Sequence, residues 1–308
     1  MAALLGGWRL PRGARVGFTR SEYASTLMLL HRLAARNGWT LVDLPADDHG
    51  RLDLDALAAA LASGLDLVTL PHIASHRGIV QPAAEIGRLC REAGTPLVLD
   101  VCQSLGHVDV TGIGAIAYVG TSRKWLAGPR GVGFLIVPAP TPDMDAATPT
   151  LASHEWTSTP PAPVPREGVP LGVEPKAGAG RYEGGEAAVA AWVGFGVAVM
   201  EHHALGPAAV YAHLAELGEA ARHALDGRGG WRVVEPFGEP SAIVTLRPPE
   251  GADAASLAAR AAEEGVVVGV VPVARAPLDL REPVLRVSPP PGTGPETLEA
   301  LARLLEKG

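Results

Sequence analysis

Short apolar runs alternate with helix-patterned stretches along the first half of the chain. Three stretches with helical spacing of apolar positions lie at 22–36, 53–62 and 82–93. The runs typical of strands are residues 15–18, 40–44, 65–70, 96–101, 115–119 and 132–137. Strands that are apolar along their whole length are buried on both faces. The alternation therefore predicts an α/β fold, with a mostly parallel sheet and helices on both faces.

The second half has a different pattern. Residues 138–180 are rich in Pro, Thr, Ala and Gly, which predicts a long irregular segment. A helical hairpin is predicted over 186–225, and residues 231–307 follow the order strand, strand, helix, strand, strand, helix. We therefore predict a large domain over 1–225 and a small α+β C-terminal domain over 226–308.

Composition narrows the classes of function. The 308 residues include 26 Lys and Arg against 33 Asp and Glu, a net charge of −7. Because the arginines form no basic stripe, we expect neither a nucleic-acid partner nor a membrane partner. Two cysteines, Cys90 and Cys102, are too few for a disulfide framework, which favours a reducing cytoplasm. The histidines lack the spacing of metal ligands, so we expect no metal.

Lysine is rare in this chain, which draws attention to Lys124. Only Lys124, Lys176 and Lys307 are lysines, and the other basic residues are arginine. Lys124 follows an apolar run and precedes a glycine-rich turn. An amine can lose its proton near neutral pH, whereas a guanidinium cannot. Residue choice alone leaves two interpretations open: amine chemistry, most simply a Schiff base, or a solvated cation at a helix start.

Asp100 ends an apolar run, where a buried carboxylate is costly unless a cation or hydrogen-bond donor meets it. An isolated Asp at such a place is more commonly a helix N-cap or an ion-pair partner. Asp100 and Lys124, however, each follow a predicted parallel strand, and ligands gather where such strands end. Pyridoxal-phosphate enzymes use this pair, an Asp beside the ring nitrogen and a Lys at the aldehyde carbon.

Two short motifs carry a resemblance to a known family. Residues 100–103 are Asp-Val-Cys-Gln, and residues 121–124 are Thr-Ser-Arg-Lys. These segments resemble the class V aminotransferase family of fold-type-I pyridoxal-phosphate enzymes, and the likeness extends from about Val16 to the C-terminus. The resemblance implies pyridoxal 5'-phosphate as the cofactor and an amino-acid-like small molecule as the substrate.

The resemblance also gives individual residues a role. It implies that Lys124 is the catalytic Schiff-base lysine and that Arg286 binds the substrate carboxylate. The implied cofactor contacts are Asp100 at the pyridine nitrogen, Gln103 at the phenolic oxygen, Thr121 and Arg123 at the phosphate, and Ser75.

Four further stretches, 74–82, 122–133, 193–199 and 231–236, resemble carbon–sulfur lyases within this family. That likeness implies that Lys124 removes the Cα proton as a general base. It further implies that sulfur leaves Cβ of a cysteine-conjugate sulfoxide, with pyruvate and ammonia as products.

Other functions stay open at this point. One alternative is a class V aminotransferase acting on another amino acid, and another is a truncated, non-catalytic remnant. A cysteine desulfurase is less favoured, because its chemistry needs a nucleophilic Cys in the C-terminal half. Here Cys90 and Cys102 both lie in the first half.

The resemblance has two consequences beyond this chain's own motifs. By length comparison it implies roughly 70 to 80 family residues before Met1, including a helix N-terminus that binds phosphate. We therefore expect that the start codon has been placed too far downstream. Active sites of the family lie at a dimer interface, so the resemblance also implies a homodimer.

Overall fold

The structure, a computed structural model, describes residues 1–156 and 172–307. Its N-terminal part alternates helices and strands, as the apolar pattern predicts. The elements in chain order are α1 (Ala2–Gly7), β1 (Arg15–Thr19), α2 (Ala24–Asn37), β2 (Thr40–Leu44), α3 (Leu54–Ala62), β3 (Leu67–Pro71), α4 (Ala83–Glu92), β4 (Leu97–Asp100), β5 (Ala117–Thr121) and β6 (Gly133–Ile136).

These strands form one sheet in the order β2-β1-β3-β4-β5-β6. The first five are parallel, and β6 runs antiparallel to β5. Individual residues define where the helices begin and end. Asp53 caps α3 by accepting from the backbone N–H groups of Asp55 and Ala56, and Gly38 ends α2 with a left-handed φ of 71°. The predicted parallel α/β sheet is confirmed.

The sheet is buried on both faces because successive side chains of each strand point to opposite sides. Val98 packs in a core with α1 and α2, while its neighbours Leu97 and Leu99 pack in a second core with α3 and α4. Leu67 and Val68 divide between the two cores in the same way. The continuous apolar runs of the sequence therefore reflect two separate cores.

The second half contains a smaller antiparallel sheet. After β7 (His154–Trp156) and β8 (Val173–Pro175), the further elements are α5 (Val189–Leu205), α6 (Pro207–Leu225), β9 (Arg232–Val233), β10 (Val244–Arg247), α7 (Ala254–Glu263), β11 (Gly269–Val271), β12 (Val284–Val287) and α8 (Pro295–Glu306). The strand order is β11-β12-β10-β9, with all pairs antiparallel. Helices α6, α7 and α8 contribute to the core of this sheet. The predicted α+β order of elements is confirmed.

The segment between the two parts is partly ordered into strands. The predicted irregular stretch 138–180 contains β7 and β8, which pair antiparallel, while residues 157–171 lie outside the described residues. The domain boundary at 225/226 stays a prediction. Ala221 and Leu225, in the last turns of α6, are buried in the core of the second sheet. No helix within 1–156 and 172–307 is long and apolar enough to cross a membrane.

Two buried carboxylates join the second sheet to the connection between β3 and α4. Glu235 accepts hydrogen bonds from the backbone N–H groups of Gly78 at 2.7 Å and Thr245 at 2.8 Å. Glu239 accepts from Val80 N–H at 2.7 Å. A Cβ at Gly78 would lie 2.0 Å from the carbonyl oxygen of Ile243, so the two backbones approach too closely for a side chain.

Candidate active site

A cavity of about 570 Å³ lies at the carboxyl ends of β3, β4 and β5. Loops that follow these strands line one side, and residues on and around β12 line another. All of the sequence-predicted site residues line this cavity: Ser75, Asp100, Gln103, Thr121, Arg123, Lys124 and Arg286. The fold therefore brings into one place side chains that lie as much as 211 positions apart in the sequence.

Strand register explains why Asp100 lies here. Asp100 is paired with Pro71 of β3 on one side and with Val119 of β5 on the other, so these strands end side by side. Its Oδ1 accepts a hydrogen bond from Cys102 N–H at 2.8 Å, which fixes the turn after β4. Asp100 forms no salt bridge with any residue in 1–156 or 172–307. Asp100 therefore holds a local turn and does not cap a helix, and its carboxylate also lines the cavity.

Lys124 lies in a tight loop between β5 and β6. Its carbonyl accepts from Ala127 N–H at 2.9 Å, and the carbonyl of Ser122 accepts from Gly128 N–H at 2.9 Å. Ala127 has a φ of +54°, the left-handed region that a residue with a Cβ rarely adopts. Backbone strain of this kind persists where surrounding contacts hold it, and it is common at functional sites. The lysine is thus in a constrained turn and not at a helix start.

Burial lowers the pKa of the Lys124 amine below its usual value. The nearby groups act in both directions: Cys102 and Asp100 raise this pKa, while Arg123 and Arg286 lower it. The ammonium has no salt bridge to any described residue. A lysine that is half-buried, unpaired and easier to deprotonate fits amine chemistry better than the role of a solvated cation.

Arg286 and Ser75 meet across the cavity from different parts of the fold. Nη1 of Arg286, on β12, donates to the carbonyl oxygen of Ser75 at 2.6 Å. Two of their other polar atoms, Arg286 Nε and Ser75 Oγ, are buried and have no hydrogen-bond partner among the described residues. Buried donors of this kind usually have a partner, so a polar, anionic ligand is expected beside them. These atoms, together with Lys124 and Asp100, fit a cofactor that carries an aldehyde, a ring nitrogen and a phosphate.

Thr121 and Arg123 differ in whether their side chains already form hydrogen bonds within the protein. Thr121 Oγ1 donates to the carbonyl oxygen of Val132 at 3.2 Å. Arg123 is exposed, and its guanidinium has no hydrogen bond or ion pair among the residues that the structure describes. A free guanidinium is suited to binding a phosphate through two parallel hydrogen bonds. Arg123 is therefore the better-placed of the two for a phosphate.

The two cysteines have different surroundings, and neither is activated. Cys90 belongs to α4 and is buried in the core between that helix and the sheet. Cys102 lines the cavity, where burial and the neighbouring Asp100 carboxylate raise its pKa to about 12. The nucleophile in cysteine chemistry is the thiolate, which a thiol with so high a pKa scarcely populates near neutral pH.

Several further residues line the cavity that sequence reasoning did not select, among them Tyr23 and Arg275. Tyr23 immediately precedes α2 and is 42% exposed. It follows the end of β1, an interior strand of the sheet, so the rule that ligands gather at strand ends would have found it. Arg275 precedes β12 in a short helical turn, Val273–Arg275, and has no local sequence signal.

The model of one known family matches most of the chain. Residues 1–270 match the family described as aminotransferase class V. Among curated proteins, a "Probable hercynylcysteine sulfoxide lyase" from Mycobacterium tuberculosis is 42% identical over 305 residues. This alignment covers 98% of the present chain and 71% of the length of that relative.

Solved structures share the fold. A cysteine desulfurase from Escherichia coli superposes with a TM-score of 0.82 at 20% identity, covering 97% of this chain and 73% of the other. A cystine C–S lyase in complex with cysteine persulfide superposes with a TM-score of 0.81 at 22% identity, covering 98% and 77%. At this level of identity the likeness establishes the fold alone.

Proposed function

This chain belongs to the class V aminotransferase family of pyridoxal-phosphate enzymes, and we propose that it cleaves the carbon–sulfur bond of hercynylcysteine sulfoxide. The observation that carries the proposal is the convergence of Lys124, Asp100 and Arg286 on one cavity. The 42% identity to the mycobacterial relative supports a sulfoxide of a cysteine conjugate as the substrate.

The residues that would hold the cofactor are those whose polar groups line the cavity. Asp100 would accept the N–H of the pyridine ring, and Gln103 would contact the phenolic oxygen. Ser75 and Arg123 have hydrogen-bond donors without partners among the residues that the structure describes, and Thr121 would add a further phosphate contact. When bound, the cofactor supplies an electron sink that stabilises negative charge at Cα of the substrate.

Arg286 would bind the substrate's α-carboxylate. Its Nη1 donates to the Ser75 carbonyl, which fixes the guanidinium plane, while its Nε is buried and has no partner in 1–156 or 172–307. A fixed guanidinium with free donors recognises a carboxylate in a defined orientation. This contact would present the Cα–H bond of the substrate to the amine of Lys124.

Lys124 would act as the general base. Because its pKa is lowered by burial, a larger fraction of the amine is neutral at a given pH and able to accept the Cα proton. The electron pair released from the C–H bond then forms a Cα–Cβ double bond as the Cβ–S bond breaks. Sulfur leaves as the sulfenate, and hydrolysis of the three-carbon remainder yields pyruvate and ammonia.

Desulfurase chemistry is not supported by the site. It would need an activated thiolate, whereas Cys102 has its pKa raised to about 12 and Cys90 is buried in the core. An aminotransferase would use the same Lys124, Asp100 and Arg286. The aminotransferase and the lyase differ in their products.

The proposed function is tested by supplying hercynylcysteine sulfoxide to the purified chain loaded with pyridoxal phosphate. We expect pyruvate and ammonia in equal amounts, with no transfer of the amino group to an added keto acid. Amino transfer without pyruvate would identify an aminotransferase. No visible absorbance of amine-bound cofactor in the loaded protein would argue for a remnant without catalysis.

We also propose that the chain forms a homodimer in the cytoplasm. Helix α5 exposes apolar side chains along much of its length, and only Ala198 is buried. The most exposed are Val189, Val193, Met200 and Leu205, at 62–73%. A contiguous apolar surface of this kind marks an interaction site. Light scattering coupled to size-exclusion chromatography measures the oligomeric state. Val193→Glu should shift a dimer towards monomer.

A further inference from the structure

The C-terminal side of the cavity carries more positive charge than the protein itself neutralises. Arg275 and Arg286 both line this side. Asp279 lies between them in sequence, but its carboxylate is paired with His76 Nε2 at 2.6 Å and Arg77 Nη2 at 3.1 Å. Within 1–156 and 172–307, the Arg275 guanidinium has no hydrogen bond or ion pair. A cation at the cavity thus lacks an anionic partner.

The arginines are close enough to influence one another. Burial lowers the pKa of Arg286, and the charges of Arg275 and Arg123 lower it further. Like charges in a partly enclosed cavity repel, so a site of this composition is stabilised when anions bind. Each anion contact already assigned uses a different residue. The α-carboxylate would take Arg286 and the cofactor phosphate would take Arg123, which leaves Arg275.

We propose that Arg275 binds a second carboxylate, carried by the group attached to the substrate's sulfur. Arg275 is then a specificity-determining residue that selects cysteine conjugates with two carboxylates over those with one. This inference rests on the proposed function, because it takes the substrate to be a cysteine S-conjugate. The hercynyl group, a betaine of histidine, carries such a carboxylate.

The test compares cysteine conjugates that differ only in this charge. S-carboxymethyl-L-cysteine and S-(2-carboxyethyl)-L-cysteine are each paired with the corresponding neutral amide, which has nearly the same shape. Each compound is titrated into the cofactor-loaded full chain, and the dissociation constant is read from the change in cofactor absorbance immediately after mixing. A charge-assisted hydrogen bond should favour the acid over its amide by roughly tenfold or more at one of the two chain lengths.

Variants at Arg275 then test whether this residue causes the preference for the acid. Arg275→Gln should bring the acid-to-amide ratio close to one while leaving the affinity for the amide within about twofold, because only the second carboxylate is lost. Arg275→Lys should retain part of the preference. Arg281→Gln is the matched control, since Arg281 is an exposed arginine in the same connection without a hydrogen bond or ion pair to any described residue. It should behave as the parent protein.

Two results would overturn the assignment. One is equal affinity of the parent protein for acid and amide at both lengths, or no binding of either. The other is a preference that survives Arg275→Gln. Pyruvate release is measured separately in the same samples. If the acids bind through Arg275 but no conjugate, including hercynylcysteine sulfoxide, yields pyruvate, the lyase function fails while the second carboxylate site stands.

Discussion

His107 stacks on Trp125, with ring centroids 3.9 Å apart and ring planes inclined by 25°. His107 is completely buried. Its Nε2 accepts a hydrogen bond from Ala242 N–H at 2.8 Å, so its proton is on Nδ1, which donates to the carbonyl of Gln103 at 2.9 Å. One neutral imidazole thus connects the turn after β4, the residue beside Lys124 and the backbone that enters β10.

Replacing this imidazole should weaken the junction between the two sheets. His107→Phe keeps a ring against Trp125 but leaves Ala242 N–H and the Gln103 carbonyl without a partner. We expect the free energy of unfolding to fall by about 2–4 kcal/mol, because each unsatisfied buried group costs on the order of 1–3 kcal/mol. Urea denaturation measures this, with His31→Phe as an exposed control. An unchanged midpoint would show that the hydrogen bonds contribute little.

Glu22 should make the protein less stable as the pH rises. Burial and the nearby Asp100 carboxylate raise the pKa of Glu22 to about 8. The unfolded chain loses this proton near pH 4.5, whereas the folded chain keeps it until about pH 8. The stability that the protonated carboxyl contributes is therefore full below pH 4.5 and falls by about 1.4 kcal/mol per pH unit up to about pH 8.

The Glu22→Gln variant isolates this contribution. Its amide oxygen can still accept from Thr69 Oγ1, as Glu22 Oε1 does at 3.2 Å. The difference in unfolding free energy between variant and parent should grow in favour of the variant from pH 5 to pH 8. A comparison of the two proteins cancels the opposing titration of the buried His72 and His107, whose pKa values burial lowers to about 4. Parallel pH profiles would contradict the assignment.

Lys124 should be the site of cofactor attachment. Reduction of the loaded protein with borohydride, followed by proteolysis and mass spectrometry, should place the cofactor on the peptide that contains Lys124. Lys124→Ala should lose the label and reduce pyruvate release by about 10²–10⁴-fold, the usual size of a general-base contribution. Lys307→Ala, an exposed lysine far along the chain, should keep both. Labelling of another lysine would refute this role.

Gly78→Ala should disturb the contact between the second sheet and the connection from β3 to α4. The added methyl would lie 2.0 Å from the Ile243 carbonyl oxygen, so the segment must move away from Glu235. Overpacking of this kind costs about 1–3 kcal/mol of unfolding free energy. Gly185→Ala is the matched control, because a Cβ there meets nothing within 4 Å among the described residues. Equal denaturation midpoints for the two variants would show that the junction accommodates the added methyl without loss of stability.

The sequence by itself determined the architecture around Lys124. Alternating strands and helices place the ends of parallel strands at one edge, so the meeting of Asp100 with the loop of Lys124 could be predicted from chain order. The ends of elements differ from their predicted positions: the helix predicted at 22–36 begins at Ala24, which leaves Glu22 in the turn before it. Strands β7 and β8 have three residues each, too few for a periodic pattern to predict them.

Only the tertiary structure decided which distant side chains complete the site. Arg286 was placed by family resemblance, and its hydrogen bond to Ser75 depends on how the second sheet packs against the first. The unpaired state of Arg275 and the tautomer of His107 follow from neighbours that lie far away in the chain. The spacing of apolar residues predicts local elements, because neighbouring backbone groups determine them. The charge balance and hydrogen bonding of a cavity depend on contacts between elements, and these exist only once the chain has packed.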